Sequence, residues 1–242
     1  MNAIELHCQE IDHCNQRGGR MLSIVDLLDA GTMSMDLAAY LLAAIRSGAS
    51  FMVGALPGGA GKTTIMGALL NFVPPDVSLY TADGLAAIAE GLALTVPRRC
   101  YICHEIRAAN LYAYLWNEKL RAYFQLARKG HMLATNLHAD TYQEARDQVC
   151  IENRVPHEDL LKMNLAVFID TKGGNRKIAE VWESDGVSDH GKVYEKGKLK
   201  LAQTRLAGRD RVQEAHQLLN NLLSSGARTI KEVRAGLIRP AT

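Results

Sequence analysis

Long hydrophobic runs are missing from this chain: nothing approaches the roughly eighteen apolar residues that a membrane span requires. A large excess of one charge is missing too. The formal net charge is +2 at pH 7, too small for a strong field. Lys192, Lys196, Lys198 and Lys200 do make a local basic stretch, which reads as a solvated hairpin edge, with nucleic-acid contact as the alternative. The start, Met-Asn-Ala-Ile-Glu-Leu-His, lacks the basic and then apolar pattern of a signal peptide, which points to the cytoplasm. The chain has 5 cysteines, an odd number without such a signal, and this argues against a disulfide framework. No internal repeat or low-complexity tract is visible.

Two cysteine clusters still need a reading. Cys100 and Cys103 have C-x-x-C spacing but fall inside an apolar strand with no second pair, so they read as core residues. His7, Cys8, His13 and Cys14 offer four zinc-type ligands close together, although adjacent pairs do not match finger spacing.

What is present is ordinary for a globular protein, with 48% apolar and 22% charged residues in 242. The length suits one α/β core with small additions: a segment or joint at 1–20, a main domain at 21–205 and a helical extension at 206–242. Arg17-Gly-Gly-Arg20 reads as a flexible joint, Ser23–Asp29 as a short helix closed at Gly31, and a second helix starts after Ser34. Val77–Thr81, Arg99–Glu105 and His131–Leu137 read as strands, with a helix over Gly84–Leu94 and one long helix from Ala108 to about Lys129. Thr141 and Glu144 make a capping box. Leu165–Asp170 and Lys177–Trp182 read as strands joined through Gly173-Gly174-Asn175, and a shorter pair follows near Lys192–Leu201. Val212, Ala215, Leu218, Leu219, Leu222 and Leu223 make one helix stripe, with a further helix around Thr229–Ile238. Strands alternating with helices early, and hairpins late, predict a mainly parallel sheet with an antiparallel extension.

The segment Ser50–Thr64 carries the chemistry. The apolar run Phe51-Met52-Val53 leads into Pro57-Gly58-Gly59-Ala60-Gly61-Lys62-Thr63-Thr64, after which a helix runs to Val73 before Pro74-Pro75. Glycines let the backbone curl so that amides face an anion, the helix start adds its positive dipole end, Lys62 reaches phosphates, and Thr63 holds magnesium. In G-x-x-x-x-G-K-[ST] the first glycine belongs at position 56, where this chain has Leu56. Glu105 ends an apolar strand and suits the acidic role beside magnesium, and Asp83 lies at an equivalent strand end. His131 and His138, with Thr135 between them, bracket the next strand in what reads as a sensor arrangement.

Taken together, Gly-Lys-Thr-Thr, Glu105-Ile106-Arg107, Gly130-His131, Thr135 and Leu137-His138-Ala139 resemble the type II and type IV secretion ATPase superfamily over roughly positions 20 to 183. The stretch from Ala30 through Asp76 resembles the pilus-assembly and archaeal-flagellum branches. The resemblance implies a RecA-like core that hydrolyses ATP with magnesium and works as a hexameric homo-oligomer with nucleotide between subunits, at the cytoplasmic face of the membrane beside an inner-membrane secretion-platform protein. By position it implies phosphate and magnesium binding by Lys62 and Thr63, the Walker B role for Glu105, histidine-box roles for His131 and His138, and acidic-box placement for Asp83. Departures are Leu56, a sparse Thr81-Ala82-Asp83-Gly84 box, extra residues at Leu111–Trp116, and about twenty residues where the family has an N-terminal domain that contributes arginines. Arg17 and Arg20 are candidate remnants of that joint. These departures leave a second reading, a reduced relative that binds nucleotide as a regulatory or assembly module.

Overall fold

A buried parallel strand needs a continuous apolar run, and Phe51–Gly54 (β1) supplies one, buried at every position. The computed structural model describes residues 2–15, 18–94, 98–171 and 176–238. Around β1 the chain builds α1 (Ala3–His13), α2 (Ile24–Asp29), α3 (Met35–Arg46), α4 (Lys62–Leu70), β2 (Ser78–Thr81), α5 (Leu85–Ala93), β3 (Arg99–Ile106), β4 (Tyr114–Leu115), α6 (Glu118–Arg128) and β5 (Met132–Leu137). Then come α7 (Tyr142–Arg146), which runs into a π-helical turn at Asp147–Glu152, and α8 (His157–Leu160). The chain continues through β6 (Leu165–Asp170), β7 (Lys177–Glu183), β8 (Gly191–Glu195), β9 (Lys198–Leu199), α9 (Arg209–Ser225) and α10 (Ile230–Ile238).

Among the described residues one sheet runs β2-β3-β5-β1-β6-β7-β8-β9, with β4 beside β3. Every pair from β2 to β6 is parallel and the pairs from β6 to β9 are antiparallel, as the sequence pattern predicts. Alternation across the strands feeds two cores. Phe51, Val53, Cys100, Ile102, Ala134 and Val167 face α3, α4, α9 and α10, whereas Met52, Tyr101, Cys103, Leu133 and Phe168 face α5, α6 and α8. Cys100 and Cys103 therefore lie on opposite faces, and burial raises both thiols well above the usual range, Cys103 to about 12.

One reading of the sequence changes. Ala108–Lys129 is not one helix. Positive φ at Ala113 (57°) and Asn117 (52°) breaks the run, Tyr114–Leu115 pairs with Glu105–Ile106, and the helix begins only at Glu118. The segment 1–20 holds an eleven-residue helix, α1, opened by an Asn2/Glu5 capping box. Among the described residues no group of His, Cys, Asp and Glu forms a metal cluster. In the terminal set Cys8 and Cys14 are buried, and His7 Nε2 donates to the Leu70 carbonyl at 3.1 Å.

The expected solvated edge is present: Lys192 pairs with Glu180 at 2.7 Å and Lys200 with Glu195 at 2.5 Å. Arg17 and the turn Gly173-Gly174-Asn175 lie outside the described residues. Arg20 pairs with Asp26 at 2.8 Å. Among the described residues no helix is long and apolar enough to cross a membrane.

Candidate functional site

After β1 the chain turns away to β2, and it returns on the other side of β1 only with β6, so the strand order reverses at β1. The crevice outside the carboxyl ends of the strands opens at that point, and the glycine-rich loop Pro57–Gly61 sits there. Gly59 (φ 84°) and Gly61 (φ 96°) hold the left-handed backbone that a side chain would strain. Gly61 is the residue before α4, whose first-turn amides at Lys62, Thr63 and Thr64 have no acceptor within the helix. Gly54 is required for a different reason: a Cβ there would lie 2.7 Å from both the Ala139 carbonyl oxygen and the Phe168 ring.

Lys62 is buried at 8% exposure, and Nζ donates to the Ala55 carbonyl at 2.9 Å. Glu105, 7% exposed at the end of β3, places Oε1 3.2 Å from Lys62 Nζ and 2.9 Å from His138 Nε2. Removing either partner of such a buried pair would leave an uncompensated charge. On its other side the His138 ring contacts the Leu56 carbonyl, 3.0 Å from Nδ1, and because a carbonyl only accepts, Nδ1 carries the proton there. Lys62 Nζ and His138 Nε2 thus lie within ion-pair distance of Glu105 Oε1, without hydrogen-bond geometry to it, while each hydrogen-bonds one of the neighbouring carbonyls of Ala55 and Leu56.

His131 is not in this group. It precedes β5 at the opposite rim of the sheet, where Nδ1 accepts from the Arg99 amide at 3.1 Å and Nε2 contacts the Gly91 carbonyl at 3.0 Å. Burial pulls its basicity below the usual histidine value. Asp83 is also remote. It is exposed at the end of β2, and β3 and β5 stand between β2 and β1, which sets it about 14 Å away by strand spacing. His104, immediately before Glu105, is buried edge-on to Tyr112 at 5.5 Å between ring centroids, and burial lowers it to about 4.

Two neighbours of the loop carried no signal in the sequence. The stem of the exposed Arg176, at the start of the β7 arm, lies over the loop, its Cδ 3.4 Å from where a Cβ on Gly61 would sit. Asp140 Oδ1 accepts from the Leu56 amide at 2.7 Å. For magnesium, the Thr63 hydroxyl in the first turn of α4 and the Glu105 carboxylate supply hard oxygen donors at the loop, whereas Asp83 does not reach it.

Two solved ATPases are similar to this chain. One is the VirB11 ATPase of the Brucella suis type IV secretion system in complex with sulphate, 21% identical, with a TM-score of 0.48 over 66% of this chain and 54% of that one. The other is the ATPase DotB of Legionella pneumophila, 14% identical, with a TM-score of 0.43 over 84% of this chain and 61% of that one. The chain therefore spans little more than half the length of either. No protein-family model matches the chain, and no curated protein does.

Proposed function

We propose that this chain is an ATPase of the secretion type, binding ATP with magnesium at Pro57–Thr64 and hydrolysing it to power assembly or transport at a secretion or pilus-like system. The observation that carries the reading is the convergence of Lys62 Nζ and His138 Nε2 on one oxygen of Glu105, at 3.2 and 2.9 Å, beside a glycine loop at a strand-order reversal. Phosphoryl transfer needs positioning and charge neutralisation more than covalent chemistry from the protein, and these groups are suited to both. Lys62 and the loop amides would bind the phosphates, Thr63 and Glu105 would hold magnesium, Glu105 would orient the attacking water, and His138 would hold Glu105. A magnesium ion held by Thr63 and Glu105 would supply charge neutralisation at the phosphates.

The same reading carries the division into a segment at 1–20, a main domain at 21–205 and an extension at 206–242. It also carries assembly into a hexameric ring and work at the cytoplasmic face of the membrane with a platform protein. In the second reading the chain binds nucleotide as a regulatory or assembly module with little turnover. One observation favours that alternative: the phosphate-binding cation and the acidic residue are paired to each other, so nucleotide has to separate them.

Turnover of ATP with magnesium by the wild type, Lys62→Ala and Glu105→Gln is the test. The proposal expects Lys62→Ala to lose binding and Glu105→Gln to keep binding while turnover falls at least about 100-fold. Wild-type binding without turnover, with or without partners, would establish the second reading instead.

A further inference from the structure

Leu56 stands where the phosphate-loop pattern has its first glycine, and in the structure both polar groups of its backbone are taken. Its amide donates to Asp140 Oδ1 at 2.7 Å, and its carbonyl accepts from His138 Nδ1 at 3.0 Å. Both partners come from the turn after β5. That turn is itself braced: the Asp140 amide donates to Glu144 Oε2 at 2.8 Å, and Glu144 closes the capping box with Thr141 that starts α7. The Ala55 amide adds a bond to the Leu137 carbonyl at 3.3 Å, so the first two residues of the loop are tied to β5 and its turn. The Leu56 side chain is turned outward, 48% exposed.

We infer that Asp140 is a positioning residue for the nucleotide site. By holding the Leu56 amide it fixes the start of the phosphate loop to the turn that carries His138, and so keeps the His138 ring aimed at Glu105. What pins the amide is an acceptor oxygen held at 2.7 Å by the braced turn, a place that an amide oxygen can fill as well as a carboxylate. The inference rests on the nucleotide reading for its functional consequence. Its structural part, that Asp140 immobilises Leu56, stands independently.

Asp140 is exposed and its own backbone bond to Glu144 survives substitution, so Asp140→Ala should fold. Asp140→Asn keeps an acceptor for Leu56 while removing the charge that also lies near the start of α7. The test measures hydrogen exchange at the Leu56 amide without nucleotide, and then the dissociation constant for a non-hydrolysable ATP analogue with magnesium, in the wild type and both variants. Asp140→Ala is expected to speed Leu56 exchange about tenfold and to weaken analogue binding about five- to tenfold, with Asp140→Asn within about twofold of wild type in both. Unchanged Leu56 exchange in Asp140→Ala would overturn the inference, as would unchanged analogue binding. Equal defects in both variants would also overturn it, since they would trace to charge near α7. A wild type that binds no analogue would instead sink the nucleotide reading, and the exchange measurement would still decide whether Asp140 holds the loop.

Discussion

Strand β5 has a histidine at each end, and the two do opposite things. His138, beyond its carboxyl end, touches Glu105 and the loop; His131, before its amino end, ties β3 to the end of α5 through Arg99 and Gly91. A six-residue strand is about 20 Å long, so a pair of histidines bracketing it cannot share one site. In a parallel sheet only the carboxyl rim is the reactive one. Position along the strand, more than residue type or neighbourhood in sequence, separates the histidine beside the glycine loop from the one at the opposite rim.

That contrast can be broken by substitution. Replacing His138 with Ala is expected to cut ATP turnover about 10- to 100-fold with little change in the unfolding midpoint, because the ring is partly exposed but orients Glu105. The same change at His131 should leave turnover within about twofold of wild type and cost about 1 kcal/mol of stability in urea unfolding, since it leaves the part-buried Arg99 amide without its acceptor. Equal kinetic defects from the two variants would remove the distinction.

Next in size is a pH effect at a third histidine. Burial, with Arg234 nearby as the second cause, lowers His7 to about 3, against 6.5 for a free side chain, while its bond to the Leu70 carbonyl opposes the shift. The folded chain therefore keeps His7 neutral where the unfolded chain takes up a proton. The stability it supports is present above about pH 6.5 and is lost as pH falls toward 3, at about 1.4 kcal/mol per pH unit. Between pH 7.5 and 5 the wild type is expected to lose about 2 kcal/mol more than His7→Gln does in urea unfolding. Identical losses would place His7 in water. The smallest effect expected is that of Asp83→Asn, which should leave the magnesium dependence of turnover unchanged within about twofold, because Asp83 sits three strands from the loop. A raised magnesium requirement would return it to the metal site.

Much of this was legible in the sequence because it depends on local chemistry. The apolar run Phe51–Val53, the glycines before Lys62, the Thr141/Glu144 box and the Leu219/Leu222 stripe each dictate an element within a few residues, and each element formed where the pattern put it. The same was true of Glu105 at a strand end. What was hidden depends on strand order and on backbone conformation. β5 lies between β1 and β3, and nothing in the separate strand patterns says which histidine or carboxylate will face the loop. Alanine-, leucine- and tyrosine-rich Ala108–Trp116 reads as helix, yet left-handed Ala113 and Asn117 turn it into a bend and a short strand. Arg176 and Asp140 reach the loop across 115 and 84 residues of sequence, a distance that only the folded sheet closes.

The most direct test of the account is a calorimetric titration of ATP with magnesium into the wild type and into Lys62→Ala. The arrangement of Lys62, Glu105 and His138 at the carboxyl rim predicts saturable binding to the wild type and none to the variant. Absence of binding to the wild type, or equal binding to both, would contradict it.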